Sequence, residues 1–148
     1  LQAYYAKAPY YREYISDIAQ LVHQDYQYLS PLNIDFVKWV LEKLNCSTKI
    51  LISSEIFATE NLNKLSRSEK LVKLVQCAGG TTYLSGVGGK EYLQEQYFTE
   101  NRIKIAYQNF VHPQYQQIGE NFVSHLSVLD LLFNEGEKSR LIIEQGNK

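Results

Sequence analysis

The first third of the chain carries two helical patterns of apolar residues. The first helix is predicted from Pro9 onward, because apolar side chains then recur at steps of four, three and four, at Tyr11, Ile15, Ile18 and Val22. Ser30 and Pro31 are predicted to break the chain. A second helix is predicted over residues 33–44, with an apolar stripe made of Val37, Val40, Leu41 and Leu44. Phe36 and Trp39 lie on a neighbouring face, so this helix is predicted to be buried on two sides.

The middle of the chain alternates between short apolar runs and amphipathic stretches. A helix is predicted to begin at Ser66, because Glu69 follows it at the spacing of a capping box, and to stop at Gly79. Another helix is predicted over residues 89–98. Three buried strands are predicted from β-branched and apolar runs at residues 48–56, 81–84 and 103–107. This alternation predicts a parallel sheet with right-handed crossovers.

The last third is less regular up to about residue 121 and then becomes helical again. Helices are predicted over residues 127–133 and 137–145. No internal repeat and no linker divides the sequence. We therefore predict one α/β domain over residues 1–148, with a small and mostly parallel sheet flanked by helices.

Composition narrows the class of protein. Apolar residues make up 45% and charged residues 21%, as in a globular protein, and the net charge of -1 gives no field that would draw the chain to nucleic acid. No apolar run is long enough to cross a bilayer. Cys46 and Cys77 lie in no CxxC motif, so two core thiols are expected rather than a metal site. Methionine is absent and seven of the twelve tyrosines fall in the first 28 residues, so we expect a piece of a longer chain.

Polar side chains follow each of the three predicted strands. In an open parallel sheet, ligands bind beyond the carboxyl ends of the strands, and these residues are therefore expected to form one site for a small molecule. The first group is Ser53, Ser54 and Glu55. The second is Ser85, Gly86, Gly88 and Gly89, and the third is Asn109, His112, Tyr115 and Gln117.

The glycine-rich stretch "SGVGGK", residues 85–90, has two interpretations. It could hold a phosphate or carboxylate on Ser85 and on the backbone N–H groups of residues 87–89, with Lys90 adding charge. It lacks the spacing of a dinucleotide site or a P-loop, however, and its glycines could simply supply positive φ for a tight turn. The sequence favours the turn when this stretch is taken alone.

Two further residues have both a chemical and a structural interpretation. His112 could act as a general acid or base near neutral pH, with its backbone restrained by Pro113, or it could be a hydrogen-bonded loop histidine. Asp130 lies three residues beyond Ser127, so it could belong to a helix cap or bind a ligand. His125, just before the same helix, is interpreted as part of the cap.

Five segments in this order resemble the WbqC-like protein family of bacteria. They are "YAKAPYY", "ISSEI", "YLSGVGGKEYL", "NRIKIAYQNFVHPQYQQ" and "FVSHLSVLDLLFNEG". The resemblance extends from about Tyr5 to Gly136 and implies a further N-terminal portion. It is most specific in the YLSG loop, in HP-x-Y-x-Q and in LS-x-LD-LLFN-x-G.

The resemblance implies a cytoplasmic enzyme of surface-polysaccharide (O-antigen) biosynthesis that attaches a glycyl or other acyl group to a nucleotide-linked amino sugar. His112 would then be the base, the amides of residues 86–89 would hold the developing anion, and Tyr83, Tyr92 or Tyr115 would stack on sugar or nucleobase. No cofactor is implied. A non-catalytic sugar-binding component and an assembly scaffold are the alternatives, and self-association into a homo-oligomer stays open.

Overall fold

The computed structural model describes residues 1–56 and 64–147. The helices of these ranges are, in chain order, α1 (Gln2–Tyr5), α2 (Tyr11–His23), α3 (Leu29–Lys43), α4 (Ser53–Ile56), α5 (Arg67–Cys77), α6 (Glu95–Glu100), α7 (Val128–Glu135) and α8 (Ser139–Gln145). The strands are β1 (Thr82–Ser85) and β2 (Lys104–Tyr107), and short 3-10 helices cover Val87–Glu91 and Gly136–Lys138. The chain packs as two compact units, of which one joins Leu1–Thr48 to the residues from Val111 onward and the other is Lys49–Phe110.

The core of the first unit is aromatic and is built by α2, α3 and α7. Leu132 and Phe133 of α7 are completely buried, and the burial of each stabilises the fold by about 2 kcal/mol. The α2 face in contact with them differs from the predicted stripe, since Tyr14 is 3% exposed and Val22 is 57% exposed. The other buried apolar residues of this core are Ala8, Tyr11, Ile18 and Trp39.

The predicted chain break at Ser30 and Pro31 is wrong. Both residues lie in the first turn of α3, which begins at Leu29, and proline is tolerated there because a first-turn N–H has no acceptor within the helix. Of the two faces of α3 predicted to be buried, the one with Trp39 is confirmed, and the other is wrong at Val37. Val37 is exposed, whereas Trp39 is buried and donates from Nε1 to Asp17 Oδ2 at 3.0 Å.

The second unit contains the sheet. β1 and β2 pair in parallel, with Thr82 opposite Lys104 and Ser85 opposite Tyr107. The predicted capping box is confirmed, since the Ser66 hydroxyl accepts from Glu69 N–H and the Glu69 carboxylate accepts from Ser66 N–H. The core of this unit consists of Val72, Leu93, Phe98 and Ile103.

The predicted strand over residues 48–56 is wrong. Residues 48–52 are irregular, and α4 follows them, with N–H groups of Glu55 and Ile56 donating to Ile52 O. β-branched residues favour a strand only where a neighbouring strand supplies hydrogen bonds, and the described sheet consists of β1 and β2 alone. The site residues Ser53 and Ser54 are therefore exposed residues of α4 and do not follow a strand.

The predicted helix over residues 89–98 is divided in two. A 3-10 helix covers Val87–Glu91, and α6 starts again at Glu95. Glycine has low helix propensity, and Gly88 and Gly89 lie at the start of this stretch. The predicted class is confirmed nonetheless: the chain is an α/β protein with a small parallel sheet flanked by helices.

Two other expectations concern the cysteines and the membrane. Cys77 is exposed and Cys46 is half-buried, so the prediction of two core thiols is wrong. Cys77 is the last residue of α5, and Cys46 lies just beyond the end of α3.

None of the helices in residues 1–56 and 64–147 is long and apolar enough to cross a membrane.

Candidate functional site

A buried carboxylate organises the first unit. Asp130, in the first turn of α7, is 1% exposed. Its Oδ1 accepts a hydrogen bond of 2.9 Å from the Tyr5 hydroxyl, and its Oδ2 accepts from the Tyr115 hydroxyl at 2.8 Å and from Gln117 Nε2 at 2.9 Å. Within the described ranges no cation lies within 4 Å of it, so these three donors replace the water that a carboxylate would otherwise bind.

The pKa values of the two tyrosines that donate to Asp130 are raised by their surroundings. Burial, and then the hydrogen bond to Asp130, raises the pKa of Tyr115 to about 12. The same two causes raise the pKa of Tyr5 well above its ordinary value. Both phenols therefore stay protonated at neutral pH and remain donors.

The sequence left open whether Asp130 caps α7. The Ser127 hydroxyl caps this helix by accepting from Leu129 N–H, and the Asp130 carboxylate instead accepts from the three donors described above.

Side chains of α7 also hold the backbone of the HP-x-Y-x-Q segment. Asn134 Oδ1 accepts from Ile118 N–H, and Glu135 Oε1 accepts from Gln116 N–H, both at 3.0 Å. Asp130 and Asn134 are four residues apart and lie on one face of α7, and Glu135 lies beside that face. Two of the three most specific sequence motifs of the chain are thus one structural feature.

The Gln117 amide uses both of its ends. Besides donating to Asp130, Nε2 donates to Val123 O at 2.9 Å, and Oε1 accepts from Val123 N–H at 2.8 Å. This side chain therefore closes the irregular stretch between residues 117 and 123 against α7.

Two histidines and two aromatic rings form a second cluster beside this network. The ring centroids of His112 and His125 are 4.9 Å apart, and His112 lies 6.2 Å from Tyr115 and 5.9 Å from Phe122. His112 Nδ1 is 2.9 Å from Pro113 O. Because a carbonyl oxygen can only accept, a neutral His112 carries its proton on Nδ1 and its lone pair on Nε2.

The sequence interpretation of His125 as a simple cap residue missed this contact. His125 has a φ of +60°, which is costly for a non-glycine residue and which tertiary contacts must offset. No sequence signal pairs it with His112, since the two meet through a loop of irregular geometry.

A cavity of about 320 Å³ opens beside the same face of α7. That size falls at the lower end of the range for small-molecule sites. Gln117 belongs both to its wall and to the Asp130 network. The other lining residues are Lys7, Pro9, Tyr10, Gln116, Ile118, Asn134, Glu135 and Lys138.

The glycine loop lies in the second unit, between β1 and α6. Gly86 and Gly88 have open space where a Cβ would stand, and none of the loop glycines has a positive φ, so the turn interpretation based on positive φ is wrong. Gly89 is required sterically, because a Cβ would collide with Ser85 Oγ and lie 3.1 Å from Leu93 Cδ1. Its N–H donates to Gly86 O, so it is not available to an anion.

The aromatic and charged neighbours of this loop are engaged in packing. Tyr83 stacks on buried Phe98 with ring centroids 5.4 Å apart, and Lys90 Nζ lies 5.1 Å from the centre of the Tyr107 ring. Tyr92 is 54% exposed. The described residues hold no group of three histidine, cysteine or acidic side chains suited to a metal ion.

The predicted site residues therefore fall into two sets. His112, Tyr115, Gln117 and Asp130 belong to the first unit and are in direct contact or adjacent there. Sequence reasoning did not single out Tyr5, Lys7, Tyr10 and Lys138 as site residues. The first three lie in the quoted motif YAKAPYY, which was their signal, whereas Lys138 had none. The remaining predicted residues belong to the second unit and are Ser53, Ser54, Glu55, Tyr83, Ser85, Gly86, Gly88, Gly89, Lys90, Tyr92 and Asn109.

These features define an α/β protein with a short parallel sheet and a ligand-sized cavity beside a buried carboxylate. The chain belongs to the WbqC-like protein family, whose sequence model matches residues 1–142. It is 27% identical over 141 residues to the uncharacterized protein Rv1507c of Mycobacterium tuberculosis, a match that covers 94% of this chain and 59% of that relative. The chain thus spans about three fifths of the length of that curated relative. No solved structure matches the chain.

Proposed function

We propose that this chain forms the sugar-binding part of a cytoplasmic transferase that attaches a glycyl or related acyl group to a nucleotide-linked amino sugar for a surface polysaccharide. The observation that carries the proposal is the position of Gln117, which lines the cavity while Asp130 fixes its amide. Both Nε2 protons of Gln117 are used by Asp130 Oδ2 and Val123 O, so Gln117 forms a fixed polar wall and offers a sugar hydroxyl only the second lone pair of Oε1. Such a wall favours sugar recognition because the ligand does not have to order it, and the other polar residues of the lining supply the remaining partners.

The cavity wall supplies further groups of this kind. Tyr10 adds a ring and a hydroxyl, and Gln116 and Asn134 add amides. Asn134 is positioned by the bond from its Nδ2 to Asp130 O, at 2.7 Å, so its donors and acceptors are partly committed to the fold. Gln116 contributes its side chain while only its backbone is used by Glu135.

The proposed reaction forms one bond and breaks one. The amine nitrogen of the sugar attacks the acyl carbon of an activated acyl donor, the leaving group departs with its bonding electrons, and a base takes the proton lost by the amine. His112 is the proposed base, acting through the Nε2 lone pair that its Nδ1 contact with Pro113 O defines.

Binding is tested with the full-length protein and UDP-glucosamine, by calorimetry and thermal shift. A ligand at about a hundred times its Kd should add about 2.7 kcal/mol to the free energy of unfolding. Gln116→Ala should weaken binding, because it trims the cavity wall but keeps the backbone bond to Glu135. Gln20→Ala, an exposed glutamine of α2 outside the described lining, should not. No binding to the wild type, or equal binding to both variants, would refute the proposal.

A non-catalytic binding component is the second candidate function. The observation that favours it is that His112 is not among the described residues lining the cavity. Mass spectrometry of the sugar after incubation with activated glycine separates the two functions. An N-acylated product whose formation falls at least a hundredfold in His112→Ala supports the transferase, whereas tight binding without any product supports the binding component.

A further inference from the structure

The cavity of the first unit carries a charge opposite to that of the whole chain. Lys7 and Lys138 line it together with one carboxylate, Glu135. The lining therefore has one formal positive charge in excess, whereas the chain has a net charge of -1. An excess of cations in a concave site raises the local concentration of anions.

Neither lysine of this cavity forms an ion pair with another described residue. Among residues 1–56 and 64–147, no carboxylate lies within 4 Å of the Lys7 or Lys138 ammonium. Glu135 is held through Oε1 by the backbone N–H of Gln116 at 3.0 Å. Lys7 and Lys138 are exposed residues from opposite ends of the chain that line one cavity, so their side chains can reach an anion bound in it.

We infer that Lys7 and Lys138 bind the diphosphate of the ligand in this cavity. A diphosphate has several oxygens facing different directions and at least two charges, so it can meet two lysines from different elements, and lysine is a common phosphate ligand. A carboxylate offers one charge and one plane. The inference rests on the proposed function for the identity of the attached sugar, but not for the phosphate contacts themselves.

The uncharged residues of the lining determine the orientation in which the ligand would bind. Tyr10, Gln116 and Gln117 are uncharged polar residues of the same lining, and the Nε2 protons of Gln117 are already used by Asp130 and Val123 O. With the phosphates at the lysines, the sugar hydroxyls would face these groups and the α7 side chain of Asn134. The class of ligand is thus a sugar or nucleoside carrying a diphosphate.

The experiment is calorimetry of the full-length protein with three probes: inorganic pyrophosphate, UDP and UDP-glucosamine. Lys7→Gln and Lys138→Gln should each weaken all three by roughly tenfold or more, since each removes one charge-assisted hydrogen bond. Lys7→Arg should retain most of the affinity. Lys38→Gln is the matched control, because Lys38 is an exposed lysine of the same unit that pairs with Asp35 and is outside the described lining. Thermal unfolding of each variant verifies that the fold is kept.

The outcomes separate this inference from the proposed function. Binding of pyrophosphate and UDP that depends on the two lysines supports the phosphate site. If UDP-glucosamine is then bound no better than UDP and is never acylated, the proposed function is refuted and the phosphate site stands. Wild-type affinity of both glutamine variants for UDP-glucosamine would overturn the phosphate site and leave the proposed function standing. An equal loss in Lys38→Gln would also overturn it, because the effect would then be one of overall charge.

Discussion

Tyr5 and Asp130 are 125 residues apart in the sequence, and the Tyr5 hydroxyl donates a hydrogen bond of 2.9 Å to Asp130 Oδ1. The other oxygen of this carboxylate accepts from Tyr115 and Gln117. Asp130 therefore joins the start of the chain, the HP-x-Y-x-Q segment and α7 at one buried point. The stability of the first unit should depend on this junction.

Asp130→Asn is expected to lower the free energy of unfolding by about 3 kcal/mol. One carboxylate oxygen becomes an NH₂ group, which then faces a phenol or amide donor and leaves buried donors without an acceptor. Urea denaturation measures the change. Asp25→Asn, at an exposed carboxylate, should stay within about 0.5 kcal/mol of the wild type. Equal stabilities of the two variants would show that the junction contributes nothing.

Tyr5→Phe should cost about 1 kcal/mol, less than Asp130→Asn. It removes one donor and keeps the ring, whose centroid lies 5.0 Å from that of Phe133. Combining Tyr5→Phe with Asp130→Asn gives a double-mutant cycle. A loss in the double variant that equals the sum of the two single losses would contradict a direct bond between these groups.

The raised tyrosine pKa values predict a loss of stability in alkali. Burial, and then the hydrogen bond to Asp130, raises the pKa of Tyr115 to about 12. The same two causes raise the pKa of Tyr5 above its ordinary value. Because the folded state favours the neutral phenol, this stability is complete below the unfolded value of 10.0 and is lost as pH rises toward 12.

Urea denaturation at a series of pH values tests the alkaline loss. The wild type should lose stability more steeply above pH 10 than a variant that carries both Tyr5→Phe and Tyr115→Phe. Tyr14, whose pKa burial raises to about 12, is present in both proteins and so cancels in the comparison. Parallel curves would mean that the two phenols are not perturbed by folding.

Substitution by alanine should destabilise the protein at Gly89 but not at the adjacent Gly88. Gly89→Ala should destabilise by about 1–3 kcal/mol, because the new Cβ would collide with Ser85 and crowd Leu93. Gly88→Ala should be nearly neutral, since its Cβ would enter open space. Thermal unfolding of the matched pair is the measurement, and a Gly88→Ala loss as large as that of Gly89→Ala would be inconsistent with this packing.

Anion binding by the loop itself can be tested with the same neutral variant. Gly88→Ala should keep the stability of the wild type, so a loss of pyrophosphate binding, measured by calorimetry, would indicate an anion bound at this backbone. Unchanged binding would contradict an anion site at this loop.

Local patterns in the sequence predicted local features well. The capping box at Ser66 and the stop at Gly79 are each set by a few neighbouring residues, and the two strands predicted over residues 81–84 and 103–107 formed because they pair with each other. The strand over residues 48–56 failed because pairing is a nonlocal property. The predicted apolar face of α2 is wrong at its C-terminal end, where Val22 is exposed. Tyr14, which was not predicted to belong to this face, is buried in the core.

The site was predictable only in part for the same reason. Tyr115, Gln117 and Asp130 could be singled out as motif residues, but nothing in the sequence shows that they meet one another or that Tyr5 completes the set. The lysines of the cavity are ordinary surface residues by their sequence context. Only tertiary packing places Lys7 and Lys138 on one concave surface.

The attachment of the HP-x-Y-x-Q segment to α7 has a consequence for hydrogen–deuterium exchange. The amides of Gln116 and Ile118 donate to side chains of Glu135 and Asn134, and α7 carries the completely buried Leu132 and Phe133. The Ile118 amide, whose acceptor Asn134 is buried, should therefore take up deuterium nearly as slowly as α7 itself. The Gln116 amide, whose bond to Glu135 is exposed, should exchange faster, so protection along this irregular segment should follow the burial of the α7 side chains that hold it.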